Sequence, residues 1–248
     1  MRLRRNLLFL LPFISLPIVI SCKKESHQPP PPQAPKIKTV TAGKDIRNYF
    51  YDDKGRVTKI MLVLYGRNEY AYTDTGVVIS YYDTTGKSTG KIVYKLNGRG
   101  EMISNTSSFS PSSQNSYQYT SAGQLLSATS ILPLSGGGSN RWDYHYYYTG
   151  SNLDSIISTF NNAGGSNTYY DEYYTDKINT IGNDNYGQSF LGMSSKNPVK
   201  LARDIGSSGP GNYPQTSYTY EYDSLDRIVV QRHFWGTSAF TPISFTYY

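Results

Sequence analysis

Tyr49-Phe50-Tyr51-Asp52-Asp53-Lys54-Gly55-Arg56-Val57-Thr58-Lys59-Ile60 reads as an aromatic strand, a polar turn built on a glycine, and a second strand. Lys54-Gly55 supplies the residue that accepts positive φ between two alternating runs, which is what a hairpin turn needs. The same unit recurs as Tyr70 to Ile79, Val93 to Ile103 with Asn97-Gly98 at its turn, and Tyr117 to Leu126. Looser copies centre on Tyr146 to Gly150, Tyr173 to Ile178 and Tyr220 to Val229. The turn glycines 55, 76, 98 and 123 stand 21, 22 and 25 residues apart, the length of one hairpin and its return connection.

Composition agrees with this reading. The chain has 25 tyrosines and 22 glycines in 248 residues, and aromatic residues fit a pleated, half-buried surface. After residue 36 no segment carries an apolar stripe at helical spacing over three turns. Trp142, Tyr144, Tyr146 and Tyr148 alternate onto one face with His145 and Tyr147 on the other, and Tyr218, Tyr220 and Tyr222 make a second ladder. The expected fold is all-β: repeated β-hairpins forming a large curled antiparallel meander sheet, with a closed or nearly closed β-barrel as the alternative. The C-terminal Ser244 to Tyr248 has no charged or proline gatekeeper after Pro242, so it is expected to pair inside the sheet rather than lie at an edge.

Tyr51-Asp52-Asp53-Lys54-Gly55-Arg56-Val57 and Tyr222-Asp223-Ser224-Leu225-Asp226-Arg227-Ile228 resemble the YD repeat of Rhs and teneurin-type proteins. The other copies keep the tyrosines and the turn but lose the Asp or the Arg. With the N-terminal features below, the chain resembles a family of uncharacterised Bacteroidota lipoproteins with degenerate YD (Rhs-like) repeats. Tyr186-Gly187 and Ser194 to Lys200 also look like that family. The resemblance implies a long curled antiparallel sheet and carries over no catalytic residue.

The first residues give compartment. Arg2, Arg4 and Arg5 precede an apolar run from Leu7 to Ile20, too short and too interrupted by Pro12, Ser15 and Pro17 to span a bilayer, which is the layout of a secretory signal. Val19-Ile20-Ser21-Cys22 resembles the bacterial lipobox, and Cys22 is the one cysteine in the chain, so it is the expected lipidation site. Residues 1–21 then form the signal peptide, 22–44 the acylated cysteine and a proline-rich spacer, and 45–248 a single YD-like β-repeat domain. The expected location is export with lipid anchoring to the outer membrane, on its periplasmic leaflet or at the cell surface. Lys23 rather than Asp after the cysteine favours that membrane over the inner one.

Charge narrows the partners. Removing Arg2, Arg4 and Arg5 leaves 21 of the 24 basic side chains against 18 acidic ones, a net of +3 without a basic run, which is no nucleic-acid-binding balance. His145 and His233 lack a second ligand at metal spacing, and no Gly-x-Ser-x-Gly elbow or complete phosphate loop occurs, so neither metal, cofactor nor catalytic residue is expected. Asp52 with Asp53 and Asp171 with Glu172 are sequence neighbours whose side chains part to opposite faces or solvate a turn. The expected function is a non-enzymatic binding module for a glycan, a peptide or an envelope protein, with exposed Trp142 and Trp235 as the contact candidates. The alternatives are a carboxylate-dependent glycan hydrolase of the envelope and a structural or adhesion protein.

Overall fold

The computed structural model describes residues 34–161, 165–206 and 215–248. Its strands are β1 (Ile37–Ala42), β2 (Asp45–Tyr51), β3 (Val57–Leu62), β4 (Gly66–Thr73), β5 (Gly76–Tyr82), β6 (Ser88–Leu96), β7 (Met102–Ser107), β8 (Ser110–Tyr119) and β9 (Leu125–Pro133). They continue as β10 (Ser139–Thr149), β11 (Asn152–Phe160), β12 (Ser166–Tyr173), β13 (Val199–Ile205), β14 (Gln215–Tyr222), β15 (Ile228–Trp235), β16 (Ser238–Ala239) and β17 (Ile243–Tyr247). Each strand from β1 to β15 pairs antiparallel with the next. β17 pairs with β15 on one side and with β1 on the other, while the two-residue β16 pairs antiparallel with the last two residues of β15.

The ring is closed. The expectation of an open curled meander is therefore corrected: the meander order holds, but sixteen strands make a closed antiparallel barrel. The missing strand explains the error. β1 lies in the stretch assigned to the spacer, and a domain counted from residue 45 has an odd number of ring strands, so its first and last would run in the same direction and could not pair antiparallel. Adding β1 makes the number even and lets Val40 meet Phe245 and Ile37 meet Tyr247. Closure removes both sheet edges, and the C-terminal strand pairs inside the sheet, as its ungated sequence implies.

Alternation sorts the side chains. Ile37, Val40, Tyr49, Val57, Ile60, Ile228 and Phe245 pack into one buried cluster, and Val77, Ile79 and Phe190 into a second. The tyrosine ladders lie on this inner face: Tyr49, Tyr51, Tyr70, Tyr220, Tyr222 and Tyr247 pack on the first cluster, Tyr72, Tyr81 and Tyr94 on the second. Many of their hydroxyls reach backbone carbonyls of other strands. Tyr51 donates to the Ile37 carbonyl at 2.6 Å, Tyr220 to that of Val199 at 2.9 Å, and Tyr247 to that of Ile228 at 2.7 Å. Tyrosine thus fills the interior and ties strands together with one side chain.

The repeat turn has a physical explanation. Asp52 Oδ1 accepts the backbone N–H of Lys54 at 3.1 Å and of Arg56 at 2.8 Å, and its other oxygen takes the Arg56 Nε at 2.8 Å. Gly55 turns the chain at φ +72°. Arg56 then lies over the inward Tyr72 ring, 4.4 Å from its centre. Asp223 repeats the arrangement with Leu225 and Arg227, Asp226 taking the positive φ at 56°, and Arg227 covers the Tyr247 ring at 4.8 Å. Asn97 holds the turn before Glu101 in the same way, but there Gly100 adopts positive φ rather than the expected Gly98. Asp52→Ala is expected to cost about 1–2 kcal/mol, a Tm drop of about 2–8 °C. The solvated Asp53→Ala should leave thermal melting by circular dichroism unmoved, and equal effects of the two would contradict this account of the turn.

Candidate functional site: a plugged barrel with a lumenal chamber

Because the strands alternate in direction, the connections after β2, β4, β6, β8, β10, β12 and β14 all emerge at one rim, where β1 begins and β17 ends. Six of these connections are short. The seventh, residues 174–198 after β12, is long and folds inward across that rim with a single turn of 3-10 helix, Ser189–Leu191.

Its backbone is stitched around the barrel. The carbonyl of Asn185 accepts Ile37 N–H at 3.0 Å, that of Gly187 accepts Val57 N–H at 3.1 Å, and the N–H of Lys196 reaches the Ser151 carbonyl at 3.2 Å. Beside Ile37, at the start of β15, Thr180 Oγ1 accepts the Ile228 N–H at 2.8 Å. Tyr186 packs on Tyr49 with ring centres 5.3 Å apart, Phe190 on Tyr94 at 5.3 Å, and Gln188 donates to the Tyr70 hydroxyl at 3.0 Å. The segment is a plug inside the rim. Its asparagines, whose run Gly182 to Asn185 resembles a cation loop only loosely, are consumed by structure: Asn185 accepts the Gly182 N–H at 3.1 Å and donates to the Pro35 carbonyl at 2.9 Å.

Between the plug and the opposite rim lies a chamber of about 490 Å³. Asp45, Arg47 and Tyr49 project into it from alternate positions of β2, Gln231 comes from β15, and Tyr186 and Gln188 form its floor. Arg47 Nε donates to Asp45 Oδ2 at 3.0 Å, and this hydrogen bond raises the Arg47 pKa further. The other carboxylate oxygen, Asp45 Oδ1, is buried with no hydrogen-bond partner among the described residues. None of these chamber residues was singled out from sequence. The signal was present in Asp45-x-Arg47-x-Tyr49-x-Tyr51, where two charged residues share the face of the buried tyrosines.

Trp142 lies in β10 on the same face as Tyr144 and stacks on Phe160, rings 5.0 Å apart. It lines a second cavity of about 420 Å³ with Tyr144, Asn167 and Tyr169, so it is a lumenal side chain of β10 rather than an outer contact. Trp235 ends β15 with 53% of its surface exposed, and the structure does not bring it to Trp142's cavity. Cys22 lies outside the described residues. His233 stacks on Phe240 at 4.4 Å, and His145 sits opposite Ile157 on the other face of the sheet from Tyr144. Asp171 and Glu172 part as expected: burial raises the Asp171 carboxyl, while Glu172 pairs with Arg203 on the outer wall. Among the described residues no group of three or more His, Cys, Asp or Glu is placed to hold a metal ion.

Burial also sets the titration of the lumen. It pushes Tyr94, Tyr146 and Tyr222 up to about 12, and Tyr51, Tyr70, Tyr186 and Tyr220 upward as well. Unfolded tyrosines lose their protons near pH 10, so the folded state holds protons that the unfolded state releases. Stability is full below about pH 10 and falls as pH rises towards about 12. The share of the tyrosinate absorbance at 295 nm that comes from the buried ladders should rise late and together with loss of the β circular dichroism signal. Complete tyrosine ionisation near pH 10 with the fold intact would contradict the buried ladders.

The outer wall has the opposite chemistry. Lys59 faces Glu69 across β3 and β4, and Asp143 faces Thr129 across β9 and β10. Ion pairs Arg67–Glu69 at 2.6 Å, Arg141–Asp143 at 2.7 Å and Arg232–Glu221 at 2.6 Å lie on it.

This barrel has solved counterparts. The crystal structure of a porin-like protein from Bacteroides uniformis matches with a TM-score of 0.58 and 18% identity over 84% of this chain and 91% of that one. One from Bacteroides vulgatus matches with a TM-score of 0.62 and 13% identity over 86% of this chain and 99% of that one. The fold is shared. A third structure, TcdB2-TccC3-TEV, matches with a TM-score of 0.32 and 16% identity over 79% of this chain but 13% of its own length, a likeness that carries no argument. No protein-family model matches the chain, and no curated protein does.

Proposed function

We propose that this chain is an exported, lipid-tethered binding protein whose barrel stands in water and receives a ligand in its lumen, rather than a pore through a bilayer. The outer wall carries this reading. A membrane-spanning barrel presents an apolar band about 25 Å tall, and an Arg or Lys on its lipid face costs about 2–4 kcal/mol at the midplane. Here Glu69, Lys91, Asp143, Arg203 and Arg232 occupy outward positions within their strands. At the midplane Lys91, Arg203 and Arg232 together would cost about 6–12 kcal/mol, as large as a domain's typical total stability of about 5–15 kcal/mol. Strand length agrees: a tilted spanning strand takes about 9–11 residues, whereas β1, β3 and β7 have 6 each and β17 has 5.

Residues 34–36 join β1 at the plugged rim, where Asn185 holds the Pro35 carbonyl, so the chamber opens towards the rim opposite residues 34–36. Asp45 is the one carboxylate among the described residues lining the chamber, and it is paired with Arg47. A glycan hydrolase uses two carboxyl groups, so the chamber favours holding a ligand over cleaving it.

Removing the tether tests the reading. The chain carrying Cys22→Ser should be recovered folded from the aqueous fraction without detergent, and should give no conductance in planar lipid bilayers. Retention in the membrane fraction, or ion conductance, would overturn the proposal.

A further inference from the structure

At the rim opposite the plug β10 begins, β11 ends and β12 begins side by side, and their register builds a hollow. Trp142 stands beside Phe160 at the rim. One row further in, Tyr144, Ser158 and Asn167 face the lumen from neighbouring strands, with Tyr169 next below Asn167 on β12. Ser158 is the short side chain at the centre of these larger ones, so the space over it stays open as the cavity of about 420 Å³. Small-ligand pockets span about 300–1,000 Å³.

Ring surface is open there. Trp142 and Phe160 stack on each other, 5.0 Å apart and 25° from parallel, which occupies one face of each. The strand neighbours beyond them are Ser130 and Gly165, too short to cover the other faces. Both rings are accordingly only half-buried, and Tyr169 keeps 36% of its surface exposed. A polar group is open as well: Asn167 is exposed and its amide makes no hydrogen bond to the described residues, leaving a carbonyl acceptor and two N–H donors at the cavity wall. None of the described residues lining the cavity carries a charge, so an ionic ligand finds no counter-charge. A quaternary ammonium could rest on the rings, but it neither donates nor accepts and would leave the Asn167 amide unmatched. A pyranose carries both complements, a C–H face for the rings and adjacent hydroxyls that donate to and accept from one amide.

We propose that this hollow binds a neutral pyranose sugar, its C–H face against the aromatic wall and two adjacent hydroxyls on the Asn167 amide. This deepens the reading of the barrel as a water-facing protein that takes a ligand in its lumen, and rests on it.

The test uses the full chain extracted in a polyoxyethylene detergent, which has no sugar headgroup to compete. The panel is methyl β-D-glucopyranoside, methyl β-D-galactopyranoside, methyl α-D-mannopyranoside, N-acetyl-D-glucosamine and cellobiose, with choline as the competing class. Saturation-transfer NMR should show at least one sugar bound, with a Kd below about 10 mM on titration. Asn167→Ala, at an exposed position, should weaken that sugar about tenfold by removing its two hydrogen bonds. Ser158→Trp, which fills the hollow, should abolish binding with the β circular dichroism signal retained; if that variant loses the signal, Asn167→Ala decides. Transfer to none of the sugars, or to choline alone, would overturn the proposal, as would binding unchanged in Asn167→Ala or in a folded Ser158→Trp. These outcomes are separate from the membrane-partition test: a barrel that stays in water but takes no sugar removes the pyranose and leaves the water-facing barrel standing.

Discussion

Deletion of residues 243–248 is expected to abolish the cooperative fold, giving a chain that aggregates or shows no thermal transition. β17 is the strand that closes the ring, pairing with β1 from Ile37 to Ala42 and with β15 at Val230 and Gln231. Its loss exposes the facing edges of two strands at once, a template for aggregation. It also removes Phe245, 4% exposed in the main core cluster, and the Tyr247 hydroxyl that bonds the Ile228 carbonyl and Thr180. Truncating one buried phenylalanine costs about 3–5 kcal/mol by itself, against a typical domain stability of about 5–15 kcal/mol. The substitution Phe245→Ala should take a large part of that cost with the ring still closed. A deletion variant that melts within a few degrees of the parent would show that β17 is not part of a closed wall.

The second large effect concerns Gly187→Ala in the plug. Gly187 has φ +67°, a conformation disfavoured for any residue with a Cβ, and its carbonyl holds the Val57 N–H at the start of β3. A Cβ there would stand 2.7 Å from Val57 N, 2.8 Å from the Gly55 carbonyl oxygen and 2.8 Å from the Tyr51 ring. Two of those atoms are backbone of the repeat turn, so the plug must lift rather than the turn give way. The expected cost is about 3 kcal/mol or more, a Tm loss of about 6–12 °C. Amide exchange at Val57 should rise more than at Val77, which is buried beneath Phe190 in the second cluster. Uniform exchange with an unchanged Tm would contradict a plug seated against this rim.

The sequence made the hairpin unit legible because each repeat carries its own turn chemistry. Asp52 and Asp223 bind their own turn backbones, so the motif can be recognised without knowing any partner strand. The inner and outer faces were legible for the same local reason, since alternation along β10 separates Trp142 and Tyr144 from His145. Closure was not, because it depends on a meeting between Ile37 and Tyr247 at opposite ends of the chain. β1 itself, Ile37-Lys38-Thr39-Val40-Thr41-Ala42, lacks the aromatic ladder that marked the other strands, and it follows a proline-rich stretch. The plug stands where the looser copy Tyr173 to Ile178 predicts a hairpin: β12 ends at Tyr173 and no strand follows until Val199. Its role rests on contacts to several strands distant in sequence, none of which a local pattern encodes.

The candidate site divides in the same way. Trp142 and Trp235 are both expected as exposed contact residues; the barrel turns Trp142 inward onto a cavity, whereas Trp235 stands exposed at a strand end. Asp45 and Arg47 begin the domain as counted from residue 45, and nothing local in their sequence marks them as lining a chamber. In the folded barrel the first turn of the ring, at Gly43 and Lys44, sends β2 back down the lumen and carries both residues onto the inner face.

The central claim is a closed barrel whose outer wall faces water. Nitroxide spin labels placed one at a time at Ser80, Thr129 and Thr219, each outward and within its strand, test it on the intact lipid-anchored chain in native membranes. The account expects all three labels to collide freely with a water-soluble nickel chelate and to gain little from oxygen dissolved in lipid. Labels shielded from nickel and exposed to oxygen would place the wall in the bilayer and contradict it.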